Sequence, residues 1–332
     1  MRTLFLSFSF LFIFLISCKQ DDGDPLEKTN SYDVYLAGSE NLQACYWKNG
    51  VKTVLPNGNN LIARNIFVEN NNVYATASTA LYLVIEYFWK NGTRYDIAQY
   101  LNIPNNVTVN IHDYKVENND IYFSGYIENP NAPVSERYEL CYWKNAVKVS
   151  LHKQSFVMDS KIDVVNSQVY VSTSKYDPVS GYNFGYFQNT TFHSIAPEIY
   201  TLGNMVHSNN GVYILYQKNL KLYQFNIASQ TETLIGPYEL PFANTMEITP
   251  DPSNNNLYTN YKVHYYYKNS VQVLNSDQTY PTVTTLKAYD DNIFIVKETT
   301  SGPKSYNFLI NNIQTQTIGN GGFFTSLFVV KN

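Results

Sequence analysis

Two short stretches concentrate the chemistry of this chain: His112-Asp113 and Asp159-Ser160-Lys161. Only 15% of the residues are charged, so an imidazole, two carboxylates and an amine in two tripeptide-sized stretches stand out. Asp113 or Asp159 beside His112 has the makings of a general acid–base pair. Glycoside cleavage would need the two carboxylates about 5 to 10 Å apart. With Arg64 added, the same groups suit an anionic or polyhydroxyl ligand, which needs donors, acceptors and a cation but no proton transfer. No G-x-S-x-G, H-E-x-x-H, P-loop or C-x-x-C motif occurs. The five histidines, 112, 152, 193, 207 and 264, lack metal-ligand spacing. No catalytic residue, metal site or cofactor is therefore assigned. Asn118-Asn119-Asp120 and the Asp-Pro-Ser-Asn-Asn-Asn run at 251–256 carry chelating side chains but read as hairpin turns. A net charge of -4 without a basic stripe speaks against nucleic acid as partner.

Cys18 is a separate chemical centre. Arg2 precedes an apolar run from Leu4 to Ile16, too short for a membrane span and of signal-peptide length. The run ends in Leu15-Ile16-Ser17-Cys18, which resembles the bacterial lipobox. That resemblance implies cleavage after residue 17 and acylation of Cys18, with two or three chains giving stable anchoring where one would not. Residues 18–32 then form an acidic, flexible tether. Lys19 with Asp21 and Asp22 is similar to the export signal of Bacteroidetes surface lipoproteins. The expected location is the outer membrane, exposed at the cell surface, with its periplasmic face as the alternative.

The polar stretches sit inside a repeat. An apolar residue followed by an aromatic opens a strand seven times: Val34-Tyr35, Val73-Tyr74, Ile121-Tyr122, Val169-Tyr170, Val212-Tyr213, Leu257-Tyr258 and Ile293-Phe294. The spacing runs from 36 to 48 residues, the length of a four-stranded propeller blade of about 43 residues. Each copy is followed by a hairpin with an Asn-containing turn, as in Cys45-Tyr46-Trp47-Lys48-Asn49-Gly50 and its counterpart at 141–146. Blade two reads as strands 64–68, 73–78, 84–89 and 93–97.

The first repeat lacks its first strand, and the terminal run Ser326-Leu327-Phe328-Val329-Val330 lacks a partner. Joining them closes a ring and removes the exposed sheet edges. The expectation is an all-β fold, a single seven-bladed β-propeller over residues 33–332, monomeric, with the C-terminal strand completing the N-terminal blade. In its repeated pattern the chain resembles propeller lipoproteins of Bacteroidetes, and it lacks WD40, kelch and Asp-box signatures. Cys45 and Cys141 fall at the same blade position a full blade apart, too far for a disulfide, and read as buried hydrophobes.

Aligned innermost strands put Arg64, His112, Ser160, Gly203, Asn244, Thr284 and Thr325 at one level of the channel mouth. Asn65, Asp113, Lys161, Asn204, Thr245, Thr285 and Ser326 follow at the next. The A–B and C–D turns read as short throughout, so the long connections fall on the opposite face, where function tends to reside. Six of the seven D–A connections carry an aromatic: Tyr100, Phe156, Tyr200, Tyr238 with Phe242, Tyr280 and Phe323. Such rings suit stacking on sugars. The candidate ligand-binding set is Arg64, His112, Asp113, Asp159, Lys161, Asn204, Tyr200, Tyr238 and Tyr280. The favoured function is a lipid-anchored binding module for a glycan, peptide or envelope protein. A periplasm-facing assembly scaffold stands second, and a propeller glycosidase or polysaccharide lyase third.

Overall fold

The computed structural model describes residues 32–332 except 80–83, 180, 199, 239–245 and 320. The signal peptide, Cys18 and the tether up to residue 31 lie outside the described residues, as do Phe242, Asn244 and Thr245. Asp33–Val330 form one compact unit.

Seven four-stranded antiparallel sheets make up this unit, arranged as the blades of a ring. Blade one contains β1 (Tyr32–Glu40), β2 (Gln43–Lys48) and β3 (Val51–Asn59). Each later blade begins with its innermost strand: β4 (Leu61–Glu69), β8 (Thr108–Glu117), β12 (Ser160–Val165), β16 (Thr201–Ser208), β20 (Glu247–Pro250) and β24 (Thr282–Tyr289). The last strand, β28 (Gly322–Lys331), pairs with β1, giving blade one the order β28-β1-β2-β3. The ring is closed from both ends of the chain.

Closure has a steric requirement. A Cβ on Gly38 would lie 2.0 Å from the Phe323 carbonyl oxygen, so only glycine lets β28 seat against β1. Phe324 meets Trp47 edge-on at 5.0 Å, and Phe328 reaches Phe67 of blade two at 4.7 Å.

The repeat motif is a hydrogen-bonding device. Asn49, Asn91, Asn145, Asn189, Asn269 and Asn311 occupy the left-handed region at φ 45° to 53°, which Asn tolerates. Each side-chain Oδ1 accepts a backbone N–H within the first three residues of the blade's second strand: Val34, Val73, Ile121, Val169, Leu257 and Ile293, at 2.8 to 3.2 Å. In blades one and three the preceding Lys48 and Lys144 pair with Asp33 and Asp120 and lie over Tyr35 and Tyr122. The conspicuous Val-Tyr and Lys-Asn dipeptides are therefore two halves of one clasp.

Packing between blades is aromatic. Trp143 is fully buried and joins Phe88 and Tyr74 of blade two in one cluster. Trp89 sits among blade-one residues and donates to the Pro56 carbonyl at 3.0 Å. Cys45 and Cys141 are free and buried, and burial pushes the Cys45 thiol up to about 12.

Connection lengths depart from the expected division of faces. Tight links also occur on the long-loop face, at Asn41–Leu42, Asn60 and Asn219–Leu220. On the turn face, blade six has an extended link at 251–256. There Asp251 accepts from Ser253, Asn254 and the backbone N–H groups of Asp290 and Asp291 in blade seven. This is turn chemistry, and among the described residues no group of three or more His, Cys, Asp or Glu is placed to hold a metal.

Candidate functional site

Several positions of the first level carry β-bulges, while Ser160 stays in register with Thr173. Arg64 is the extra residue between the Ala63–Ala77 and Asn65–Thr76 pairs of blade two. His112 holds the same place between Ile111–Gly125 and Asp113–Ser124, as does Thr284 in blade seven. In blade five the pairing shifts across Gly203 and Asn204. A bulge bends the strand and re-aims the inserted side chain, which turns these residues away from the sheet register.

On blades three and four this produces a cluster. His112 Nδ1 lies 3.6 Å from Asp159 Oδ1, and Lys161 Nζ lies 3.2 Å from Asp159 Oδ2. Asp159 is the most exposed member, at 47% of its side chain, against 13% for His112. Burial lowers the His112 pKa, with Asp159 opposing and Lys161 adding to the shift, so the imidazole stays neutral near neutral pH. At 3.6 Å the His–Asp contact is longer than a hydrogen bond. The arrangement offers an amine, a half-exposed carboxylate and a neutral ring within one small surface. Such a set serves hydroxyl and anion recognition.

The other candidates are placed differently. Arg64 donates from Nε to Ser78 Oγ at 2.7 Å, within its own blade. Asp113 accepts the backbone N–H of Ile162 at 3.0 Å, tying β8 to β12. Burial raises its pKa, with Lys161 and Lys115 pulling the other way. Asn204 makes a two-way bond with Ile248, at 2.7 and 2.9 Å, tying β16 to β20. Both side chains thus act as clasps between inner strands. Tyr200 stacks on Tyr216 at 5.3 Å and meets Phe184 edge-on. Tyr238 is buried against Tyr261. Tyr280 is half-buried, its hydroxyl 3.3 Å from Ser305 Oγ. These three rings pack into gaps of the scaffold and are not gathered with the His112 cluster.

Two residues deeper along the inner strands lies a belt that the sequence reading missed. Asp163 is completely buried, with Lys115 Nζ at 3.1 Å and His207 Nδ1 at 3.0 Å. Burial alone would raise the Asp163 pKa, but Lys115 and His207 hold it below the usual carboxylate range. Glu247 pairs with Lys287 and accepts from Thr285. The available signal was alternation: Asp113 to Lys115, Lys161 to Asp163 and Thr285 to Lys287 are each one two-residue step along a strand.

No protein-family model matches the chain, and no curated protein sequence is significantly similar to it. Solved structures do share its fold. A puromycin-hydrolysing peptidase of Mycobacterium tuberculosis superposes with a TM-score of 0.53 at 10% identity, over 86% of this chain and 50% of that one. A prolyl endopeptidase gives 0.48 at 11%, over 91% and 50%. The extracellular domain of a one-component system from B. thetaiotaomicron gives 0.45 at 12%, over 79% and 37%. The chain spans about half the length of the two peptidases. At these identities the likeness is one of fold alone.

Proposed function

We propose that the chain is a lipid-anchored binding module of the cell envelope, held at the outer membrane through Cys18 and facing the cell surface. Its ligand, a polyhydroxyl or acidic group on a glycan, peptide or partner protein, is taken at the channel mouth of blades three and four. The observation that carries this reading is the meeting of His112 with Asp159, itself paired with Lys161, where the inner strands of blades three and four adjoin.

The test uses the full chain with Lys161→Ala and Asp159→Asn, screened on glycan and acidic-peptide arrays and by capture from native outer membranes. Binding should fall at least ten-fold with an unchanged melting midpoint. Binding that persists in the double variant refutes the placement. Cys18→Ala run in parallel should leave the membrane fraction while keeping its binding.

A further inference from the structure

Blades three and four carry a second feature on the same face: a crevice of about 390 Å³ between their B–C connections. Its walls come from Val134 and Ser135 on one side, Tyr176 to Pro178 on the other, and the outer-strand residues His152 to Ser155 at the base. The volume falls in the range of small-molecule sites, about 300 to 1,000 Å³. Its charges are already answered from within. Lys153 pairs with Glu136 at 3.0 Å, and the Asp177 carboxylate accepts the Val179 N–H at 2.9 Å. An ionic ligand is therefore not required. What remains is a mixture of an apolar wall (Val134, Tyr176, Pro178) and hydroxyl groups (Ser135, Ser155), the His152 Nε2 lying 3.3 Å from the Tyr176 carbonyl.

The crevice is held rigid. Gln154, 2% exposed, donates to the Tyr126 hydroxyl at 3.1 Å and the Phe156 carbonyl at 2.9 Å, and accepts the Tyr176 N–H at 3.1 Å. Phe156, Tyr176 and Tyr182 form a trio with ring centroids 5.0 to 5.5 Å apart. Three hydrogen bonds and three rings fix the Tyr176 wall before any ligand arrives, which cuts the ordering cost of binding.

Buried contacts also tie the walls of the crevice to the mouth. The Tyr126 ring lies 5.8 Å from His112, and Thr173 Oγ1 stands between the Tyr126 hydroxyl, at 3.5 Å, and the Asp159 carbonyl, at 2.9 Å. A single buried polar wall runs from His112 on the inner strand to Gln154 on the outer strand. Three inter-strand steps of about 4.8 Å make that span roughly 14 Å, more than a single sugar ring covers.

We propose that this crevice is an outer subsite for a neutral sugar unit, so that the ligand of the mouth is an oligosaccharide lying radially across blades three and four. A sugar ring has an apolar C–H face for the Tyr176–Val134 wall and equatorial hydroxyls for the serines, which neither an ion nor a purely apolar ligand matches. This inference rests on the mouth being the binding site and names the class of its ligand.

The experiment titrates the full chain with a ladder of neutral oligosaccharides of one to six rings, each also prepared with one terminal carboxylate. Affinity should rise with length until the chain covers the roughly 14 Å span and then level off. Val134→Trp fills the crevice from an exposed position. It should reduce affinity for the longer members about ten-fold, to that of the short ones, and leave the short ones and the melting midpoint unchanged. Lys161→Ala should weaken the whole ladder. Length-independent binding, or a Val134→Trp chain that binds long members normally, overturns the subsite while leaving the mouth reading in place. If no member of the ladder binds the parent chain, the saccharide class is wrong; the mouth reading is then decided by the acidic-peptide and envelope-capture arms.

Discussion

On the turn face the same asparagine clasp recurs in six blades, from Asn49 to Asn311, whereas on the loop face the connections range from Asn41–Leu42 to the stretch 97–107. The turn face also repeats a link between blades. Glu69 accepts from the Asn118 N–H, Glu117 from that of Ser167, and Asp251 from those of Asp290 and Asp291. On the loop face the His112–Asp159–Lys161 cluster and the Gln154 wall occur on one pair of blades. Repetition marks what every blade needs in order to fold, and the departure from it on one pair of blades is where the proposed site is placed.

Three outcomes would break or sharpen that contrast. The largest follows from removing residues 323–332. This takes away nearly all of the strand that supplies Thr325, which donates to the Ala63 carbonyl at 2.6 Å, and Phe324, which packs on Trp47. It also opens the edge of β1. Loss of cooperative unfolding or outright insolubility is expected, read by thermal denaturation and sedimentation; a truncated chain melting like the parent would contradict closure from both ends.

Next in size is the clasp itself. Asn145→Ala removes the acceptor of the Ile121 N–H and the donor to Asp120, and also leaves a non-glycine, non-asparagine residue at φ 45°. A loss of about 1 to 2 kcal/mol is expected from the hydrogen bonds and the strained backbone. Lys161→Ala on the loop face should change stability by less than about 0.5 kcal/mol. Urea denaturation of both variants decides the matter, and equal costs would erase the distinction between the faces.

The smallest effect is a pH dependence. Because burial lowers the folded-state pKa of His112, the unfolded chain binds the proton more readily. Stability from this group is therefore whole above the unfolded value near 6.5 and declines as pH falls toward the folded value, by at most about 1.4 kcal/mol per pH unit. His112→Gln should flatten the decline just below pH 6.5. The Asp163 loss, which comes only as pH drops below the unfolded carboxylate value near 3.9, should remain. An unchanged slope between pH 6.5 and 5 in the variant would show that His112 does not titrate as its burial requires.

The blade count, the strand order and the donated final strand were legible because a repeated dipeptide and a missing partner are linear features. The bulges were not legible. One inserted residue in β8 leaves the alternation of Tyr114 and Val116 intact, so His112 looks like an ordinary strand position. Asp113 and Asn204 are polar and at the level of the channel mouth, and the sequence gives no sign of their bonds to the neighbouring inner strands. A short side chain on an inner strand reaches the neighbouring backbone as readily as the channel, and only the packing distance between blades selects the former.

The sequence by itself determined the architecture: seven copies of one strand motif, six of them with the asparagine clasp, and a first blade short of one strand are satisfied by a closed ring. What only the tertiary structure decided is which polar groups meet. Lys115, Asp163 and His207 come from three successive blades. The crevice needs two B–C connections and an outer strand to face one another. Hydrogen bonds along a strand are local and leave a periodic trace in the chain, whereas contacts between blades depend on the angle at which adjacent sheets pack, which no single stretch of sequence encodes.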